Sequence, residues 1–282
     1  MRSDLPDLLR WAEEHCGVRP PPGVPDPPDY RVSVIIPTHR RVPIGLESFR
    51  EQDCVSEVLV LANGEFDLQG AHVLQVPWRG HGKTRQEAVA KATGEFVLFS
   101  VDDALPIGQG CVLEMVNALV SGGYDAVMGR QIPWPDSDKI TQERLHSWTP
   151  PGDRHRIWTQ IDHVFALYRR RTLLEHPLPD VPIGEDLHWS QNHRVGYVPT
   201  APILHAHKRS ARALYARTKA LHTEHCRVGH PPQVPSLRAL LHSLPSVLRA
   251  GLTYGPQEIP NQMAELLGQW RGAVHAQRQL SP

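Results

Sequence analysis

The 282-residue sequence predicts an α/β fold, a mostly parallel sheet with helices on both faces, followed by C-terminal helices. Largely apolar runs at residues 31–37 (RVSVIIP), 57–61 (EVLVL) and 96–101 (FVLFSV, broken only by Ser100) read as strands buried on both faces, as in parallel sheets. Segments with helical spacing separate these runs, and that alternation builds parallel sheets with right-handed crossovers. From residue 210 to the end the chain reads as three helical stretches.

In order, residues 4–15 form an amphipathic helix, with Leu5, Leu8, Leu9 and Ala12 on one side. The stretch RPPPGVPDPPD, residues 19–29, is neither helix nor central strand and reads as a stiff linker. Strand 31–37 leads through THRR to a short helix at 44–51, then to strand 57–61, which ends in Ala62, Asn63 and Gly64. A weaker strand covers 72–76. Thr84 with Glu87 suggests a capping box, and Gly94 a far end, for a helix at 85–93. After strand 96–101, Val112, Met115, Val116, Leu119 and Val120 mark a core-packed helix at 110–120, and a strand follows at 124–128. Residues 130–168, rich in Trp and Pro, read as a long irregular segment closed by a strand at 163–167. A helix opens at Ile183-Gly184-Glu185-Asp186, and a late strand spans 196–204.

Composition narrows the function. Thirty basic residues balance thirty acidic ones, which excludes a global field for nucleic acid. Cys16, Cys54, Cys111 and Cys226 are scattered with no CxxC, against a zinc site or disulfide framework and in keeping with a reducing, cytoplasmic compartment. The start, DLPDLLRWAEE, has no basic cap with an apolar core, so no secretory signal is expected, and no apolar run reaches the length of a membrane span.

The chemistry points to the acid pair Asp102–Asp103, which directly follows the strand at 96–101. Ligands of open parallel sheets bind just past the carboxyl ends of the strands. Two carboxylates there suit a hard divalent cation carrying a substrate's phosphates; the alternative is a turn or capping pair. GHGKT, residues 80–84, is not a P-loop, because Pro77 stands where the pattern needs glycine. It is still a basic, glycine-flanked turn into a helix, and Lys83 and Arg85 there can meet a pyrophosphate.

These segments, SVIIPTHRR, EVLVLANGE, GKTRQEAVAKATGEFVLFSVDDALP, IGEDLHW and VGYVPTAPILHAH, together resemble the family-2 glycosyltransferases over about two thirds of the chain. The resemblance implies the GT-A fold, a mixed, mostly parallel sheet with a Rossmann-like nucleotide-binding half. It also implies roles. Asp102 would sit by the ribose and metal, and Asp103 would ligate the metal. Pro37, Thr38 and Arg40 would border the base, and Arg85 would lie on the nucleotide side. Ala62 replaces the acid that usually reads the base, with Asn63 beside it, and Val101 replaces the first acid of a fuller cluster. Asp186 matches the general base of the GED motif, with Glu185 as the alternative; the other reading is an acid pair at a helix N-terminus. His205 or His207 matches the late histidine of the metal site, and histidine with carboxylates suits Mn2+ over Mg2+. Asp162 and His163 fall where relatives line the sugar and acceptor pocket. Trp158 and Trp189 either stack on sugars or belong to the core.

The expected organisation is an N-terminal helix and linker at 1–29, a GT-A domain at 30–209 and a helical extension at 210–282. The expected activity is metal-dependent, inverting transfer from a nucleoside-diphosphate sugar to a hydroxyl of a carbohydrate or lipid-linked acceptor, as in surface polysaccharide or glycolipid synthesis. The alternatives are a sugar-phosphate nucleotidyltransferase and a non-catalytic binding module. In the C-terminal helices Leu240, Leu241, Leu244, Val247 and Leu248 stand beside Arg238 and Arg249. A basic amphipathic helix of this kind can lie on the inner face of a membrane or pack on protein.

Overall fold

The structure is a computed structural model that describes residues 5–25, 28–38, 42–62, 66–69, 71–205, 210–228 and 237–280. The chain divides into two compact units, Met1–Ala206 and His207–Pro282.

In the first unit the elements run α1 (Leu5–Cys16), β1 (Val32–Thr38), α2 (Leu46–Arg50), β2 (Val55–Ala62), β3 (His72–Gln75), α3 (His81–Lys91), β4 (Phe96–Ser100) and β5 (Leu105–Pro106). They continue with α4 (Cys111–Gly122), β6 (Ala126–Ile132), α5 (Lys139–Trp148), β7 (Arg156–Trp158), β8 (Phe165–Arg169), α6 (Arg170–Glu175), α7 (Glu185–Ser190) and β9 (Val195–Leu204). The nine strands make one mixed sheet in the order β3-β2-β1-β4-β8-β6-β9-β5, with β7 paired to β9. The β3-β2-β1-β4 half is parallel, as is β6 with β9. β8 enters antiparallel between β4 and β6, and β5 and β7 run antiparallel to β9.

Period-2 alternation explains why the strands read as unbroken apolar runs: each face has its own core. Val34, Ile36, Phe96 and Leu98 face one cluster with Phe49 of α2 and Val112, Met115, Val116 and Leu119 of α4. Ile35, Val97 and Phe99 face the other, with Ala88 and Val89 of α3, Leu173 of α6 and Trp189 of α7. A third cluster joins Leu8 and Ala12 of α1 to Leu105, Ile107, Ile132 and Leu204.

The structure corrects four expectations. The proline-rich stretch does not span a gap: Pro21 O accepts the Gly110 N–H at 3.1 Å, and Asp53 accepts the Val24 N–H at 2.8 Å. α3 begins at His81, not 85, and Thr84 lies inside it, accepting the Arg79 N–H, so no capping box forms. Gly94 is not the cap of that helix, which ends at Lys91 with Ala92 as its extended C-cap. The segment 130–168 is less irregular than expected, since it holds α5 and β7.

The glycines of GHGKT have structural work of their own. Gly80 has φ +95°, a conformation that favours glycine. A Cβ on Gly82 would stand 2.7 Å from Pro179 O and 3.2 Å from Glu185 Cβ, so glycine lets α3 press against the start of α7.

The second unit holds α8 (Ala211–Val228), α9 (Leu237–Tyr254) and α10 (Glu258–Leu280). Gly268 and Gly272 let α10 approach α8: Cβ atoms there would lie 2.9 Å from Tyr215 O and 2.6 Å from Lys219 O. Among the described residues no helix is long and apolar enough to cross a membrane.

Candidate active site

The strand order reverses at β1 and β4, the place where open α/β sheets form a ligand crevice. Thr38 ends β1, and its hydroxyl donates to Asp102 Oδ2 at 3.0 Å across the switch point. The Asp102 carbonyl accepts the Ile44 N–H at 2.8 Å, which pins the turn after β4. Pro37 lies one residue before Thr38, half-buried and in register with Leu61 of β2.

Asp103, the next residue, faces the end of β9. Its Oδ1 is 3.9 Å from His205 Nε2, and the two side chains are 13% and 12% exposed. The chain of partners behind His205 sets its tautomer. Asp162 Oδ2 accepts from Gln131 Nε2 at 3.1 Å, which turns Gln131 Oε1 toward His205 Nδ1 at 3.0 Å. A carboxylate only accepts and an amide oxygen only accepts, so Nδ1 donates to Gln131 and Nε2 is the ring nitrogen turned toward Asp103. Two atoms each ~2.1 Å from one cation lie at most ~4.2 Å apart, so the Asp103–His205 spacing fits a shared divalent ion. Histidine ligands held through the other nitrogen are the usual arrangement. Among the described residues no three His, Cys, Asp or Glu side chains converge as a metal site.

Glu185 and Asp186 open α7 but have opposite environments. Glu185 is buried and accepts from Arg85 Nη1 and His163 Nδ1, each at 3.0 Å. The other side of the His163 ring meets the Tyr168 hydroxyl at 2.8 Å. Burial alone would raise the Glu185 carboxyl, but the His163 hydrogen bond and charge, with the Arg85 charge, outweigh it and lower it to about 2. Asp186 is raised: burial comes first, and the Glu185 and Asp162 charges add to it against His163 and the Leu187 N–H. Its Oδ1 accepts that N–H at 2.8 Å.

The structure thus brings Thr38, Asp102, Asp103 and His205 to one end of the sheet. Arg85 is turned inward against Glu185, and Lys83 pairs at 2.5 Å with Asp180 on the surface, so neither is displayed for a pyrophosphate as expected. Glu185 is fixed by two partners, which leaves Asp186 as the more available carboxylate. Arg40, Asn63 and His207 lie outside the described residues. Trp189 is core: it stacks on His193 at 3.7 Å and donates to His176 O. Trp158 packs on Tyr197 and Trp148. Gln131, which links His205 to Asp162, was not among the sequence candidates, and no local pattern marks it.

The model of the family described as glycosyl transferase family 2 matches residues 33–175, half of the chain. The chain belongs to this family. The matched span contains Thr38, Asp102, Asp103 and Asp162, while Asp186 and His205 lie beyond it. Among curated proteins, no sequence matches this transferase. Solved structures share its fold. The mannosyltransferase PcManGT from Pyrobaculum calidifontis, in complex with GDP-Man and Mn2+, superposes with TM-score 0.60 at 19% identity, covering 98% of this chain and 96% of that one. GalNAc-T7 with UDP, GalNAc and Mn2+ gives TM-score 0.52 at 10% identity, over 85% of this chain and 55% of that one. TarS from S. aureus gives 0.50 at 16% identity, over 84% and 55%. These likenesses show the GT-A fold. The family assignment makes the chain a glycosyltransferase and favours that reading over a sugar-phosphate nucleotidyltransferase.

Proposed function

We propose that the transferase moves a sugar from a nucleoside-diphosphate donor to a hydroxyl acceptor, with inversion, using a divalent ion held by Asp103 and His205. The observation that carries this reading is the approach of His205 Nε2 to Asp103 Oδ1, at 3.9 Å, with the ring held from its other nitrogen by Gln131. A metal held there supplies Lewis-acid stabilisation to the departing diphosphate. Histidine in the donor set favours Mn2+ over Mg2+, and the complexes of PcManGT and GalNAc-T7 contain Mn2+. Asp102, held by Thr38, orients the ribose side of the donor, with Pro37 and Thr38 bordering the base. Asp186 takes the proton from the attacking hydroxyl, and its raised carboxyl strengthens it as a base. Direct displacement needs no glycosyl–enzyme intermediate. In this reading residues 30–209 carry the chemistry, and 210–282, with α8, α9 and α10, is an extension to it.

The test is release of nucleoside diphosphate from a panel of GDP- and UDP-sugars with Mn2+. Chelation is expected to stop release, and Asp103→Ala to lower kcat by roughly 10²–10³, the usual loss when one stabiliser of developing charge is removed. Wild-type turnover in Asp103→Ala would remove the metal role. Retention of configuration at the transferred carbon would remove the inverting mechanism.

The acceptor in this reading is a carbohydrate or a lipid-linked compound, and action at the inner face of a membrane is supported by α9. Leu241, Leu248 and Leu252 are 55%, 57% and 89% exposed. At 100° per residue they share one helix face. The helix contains Arg238 and Arg249 and no acid. An amphipathic basic helix of this kind binds anionic lipid surfaces. The four cysteines are free thiols, which suits a reducing, cytoplasmic compartment. Co-sedimentation with vesicles rich in phosphatidylglycerol is expected, with a several-fold loss in Leu248→Glu/Leu252→Glu. Equal sedimentation of wild type and variant would remove membrane contact by this face.

A further inference from the structure

A cavity of about 340 Å³ lies in the first unit among α1, β6 and α5. Its volume is within the range of small-molecule sites. Trp11, His15, Arg130, Gln131, Glu143 and His146 are among its walls. Arg130 is the unusual member. It is 3% exposed, and its Nη2 donates to Cys16 O at 2.7 Å. Its Nε is buried with no hydrogen-bond partner among the described residues. Burial works against its charge, and the groups opposing that are Tyr197 and Cys16. Burial raises both of those, so neither is an anion at neutral pH. Glu143 borders the cavity too, and among the described residues Arg130 forms no ion pair.

A buried guanidinium without a carboxylate is costly, since buried charges are ordinarily paired. A cavity with Arg130 in its wall, and with His15 and His146 also lining it, offers the missing counter-charge a place beside the guanidinium. Arginine is the side chain best suited to planar carboxylate and to phosphate. The cavity also adjoins the candidate metal pair, because its wall residue Gln131 is hydrogen-bonded to both His205 and Asp162.

We propose that this cavity is an oxyanion subsite in which Arg130 binds a carboxylate or phosphate group of the acceptor. The acceptor assignment rests on the transfer reading above; binding of the anion does not.

The experiment uses the full chain without metal or donor, at constant ionic strength set with chloride. Inorganic phosphate and glucuronate are the probes, and glucose is the neutral control. At concentrations well above the dissociation constant, an anion is expected to raise the thermal midpoint by roughly 2–4 °C. Arg130→Met, which keeps much of the stem, is expected to abolish the rise, and Arg130→Lys to keep part of it. A response to phosphate alone assigns a phosphorylated acceptor, and a response to glucuronate alone assigns a uronate. No rise with either anion in wild type overturns the site. So does a rise that persists in Arg130→Met, since the anion then binds elsewhere. In transfer assays the bound anion should raise the acceptor KM without changing kcat; an unchanged KM overturns the acceptor assignment. Diphosphate release tests the transferase chemistry separately, so the two failures are distinguishable.

Discussion

Asp186→Asn is expected to lower sugar transfer by about 10³-fold, within the range for losing a general base, while making the protein more stable at neutral pH. The two effects have one cause. Asp186 has its carboxyl raised, first by burial and then by the charges of Glu185 and Asp162. For such a group the folded state binds the proton more tightly than the unfolded chain. Its contribution to stability is therefore full below the unfolded value, about 3.9, and is lost as pH rises through the raised folded value. At pH 7 the ionised carboxylate destabilises the fold. Asparagine carries no charge and keeps an oxygen for the Leu187 N–H that Asp186 Oδ1 accepts at 2.8 Å. Chemical denaturation across pH checks this: the gain of Asp186→Asn over wild type should grow from acid to neutral pH. The same raised carboxyl places the acidic limb of the wild-type rate profile above the ordinary aspartate range, because only the deprotonated base acts. A variant that retains turnover would move the base elsewhere; one that loses turnover without gaining stability would leave the environment of Asp186 misread.

The parts of this molecule legible in its sequence are those where local pattern and tertiary demand agree. The runs that became β1 and β4 must be apolar on both faces, and continuous apolar runs announce that without knowledge of their neighbours. Asp102 and Asp103 follow such a run, so their place at the strand end was readable too. The start of α3 was misread because the Thr84–Glu87 pattern is a local signal. The close contact of Gly82 with Pro179 and Glu185 lies almost a hundred residues away and decides the packing. α5 escaped because it buries no residue and so shows little apolar periodicity; its one clear signal was Asp138, whose side chain accepts the Thr141 N–H as an N-cap. The roles of Glu185 and Asp186 could not be divided by sequence. Adjacent acids look alike until Arg85, one hundred residues earlier, is found against one of them. Gln131 is a plain strand residue until Asp162 and His205 stand on either side of its amide.

Arg85→Met is expected to destabilise the fold by about 3–5 kcal/mol, the usual cost of removing one partner of a buried ion pair. Arg85 and Glu185 side chains are 6% and 5% exposed, so solvent does not screen the loss. The remaining Glu185 would keep its 3.0 Å contact with His163 but lose the guanidinium. Replacing both, Arg85→Met with Glu185→Leu, is expected to cost less than Arg85→Met alone, because no uncompensated charge is then left inside. The acid limb supplies an independent check. Glu185 is depressed to about 2, so its contribution is present above the unfolded value near 4.3 and is lost as pH falls from there toward 2. Without Arg85 one of the forces holding that carboxyl down is gone, and the acid transition should move to higher pH. Equal acid midpoints for wild type and Arg85→Met would show that His163 alone holds the carboxylate. The consequence reaches the reaction, because Glu185 anchors the first turn of α7 and Asp186 is the next residue on it. A loosened Glu185 lets the proposed base, Asp186, drift from its acceptor, so in the folded fraction kcat should fall more than the donor KM changes, whereas Glu185→Gln, which keeps hydrogen-bonding capacity, should fall less.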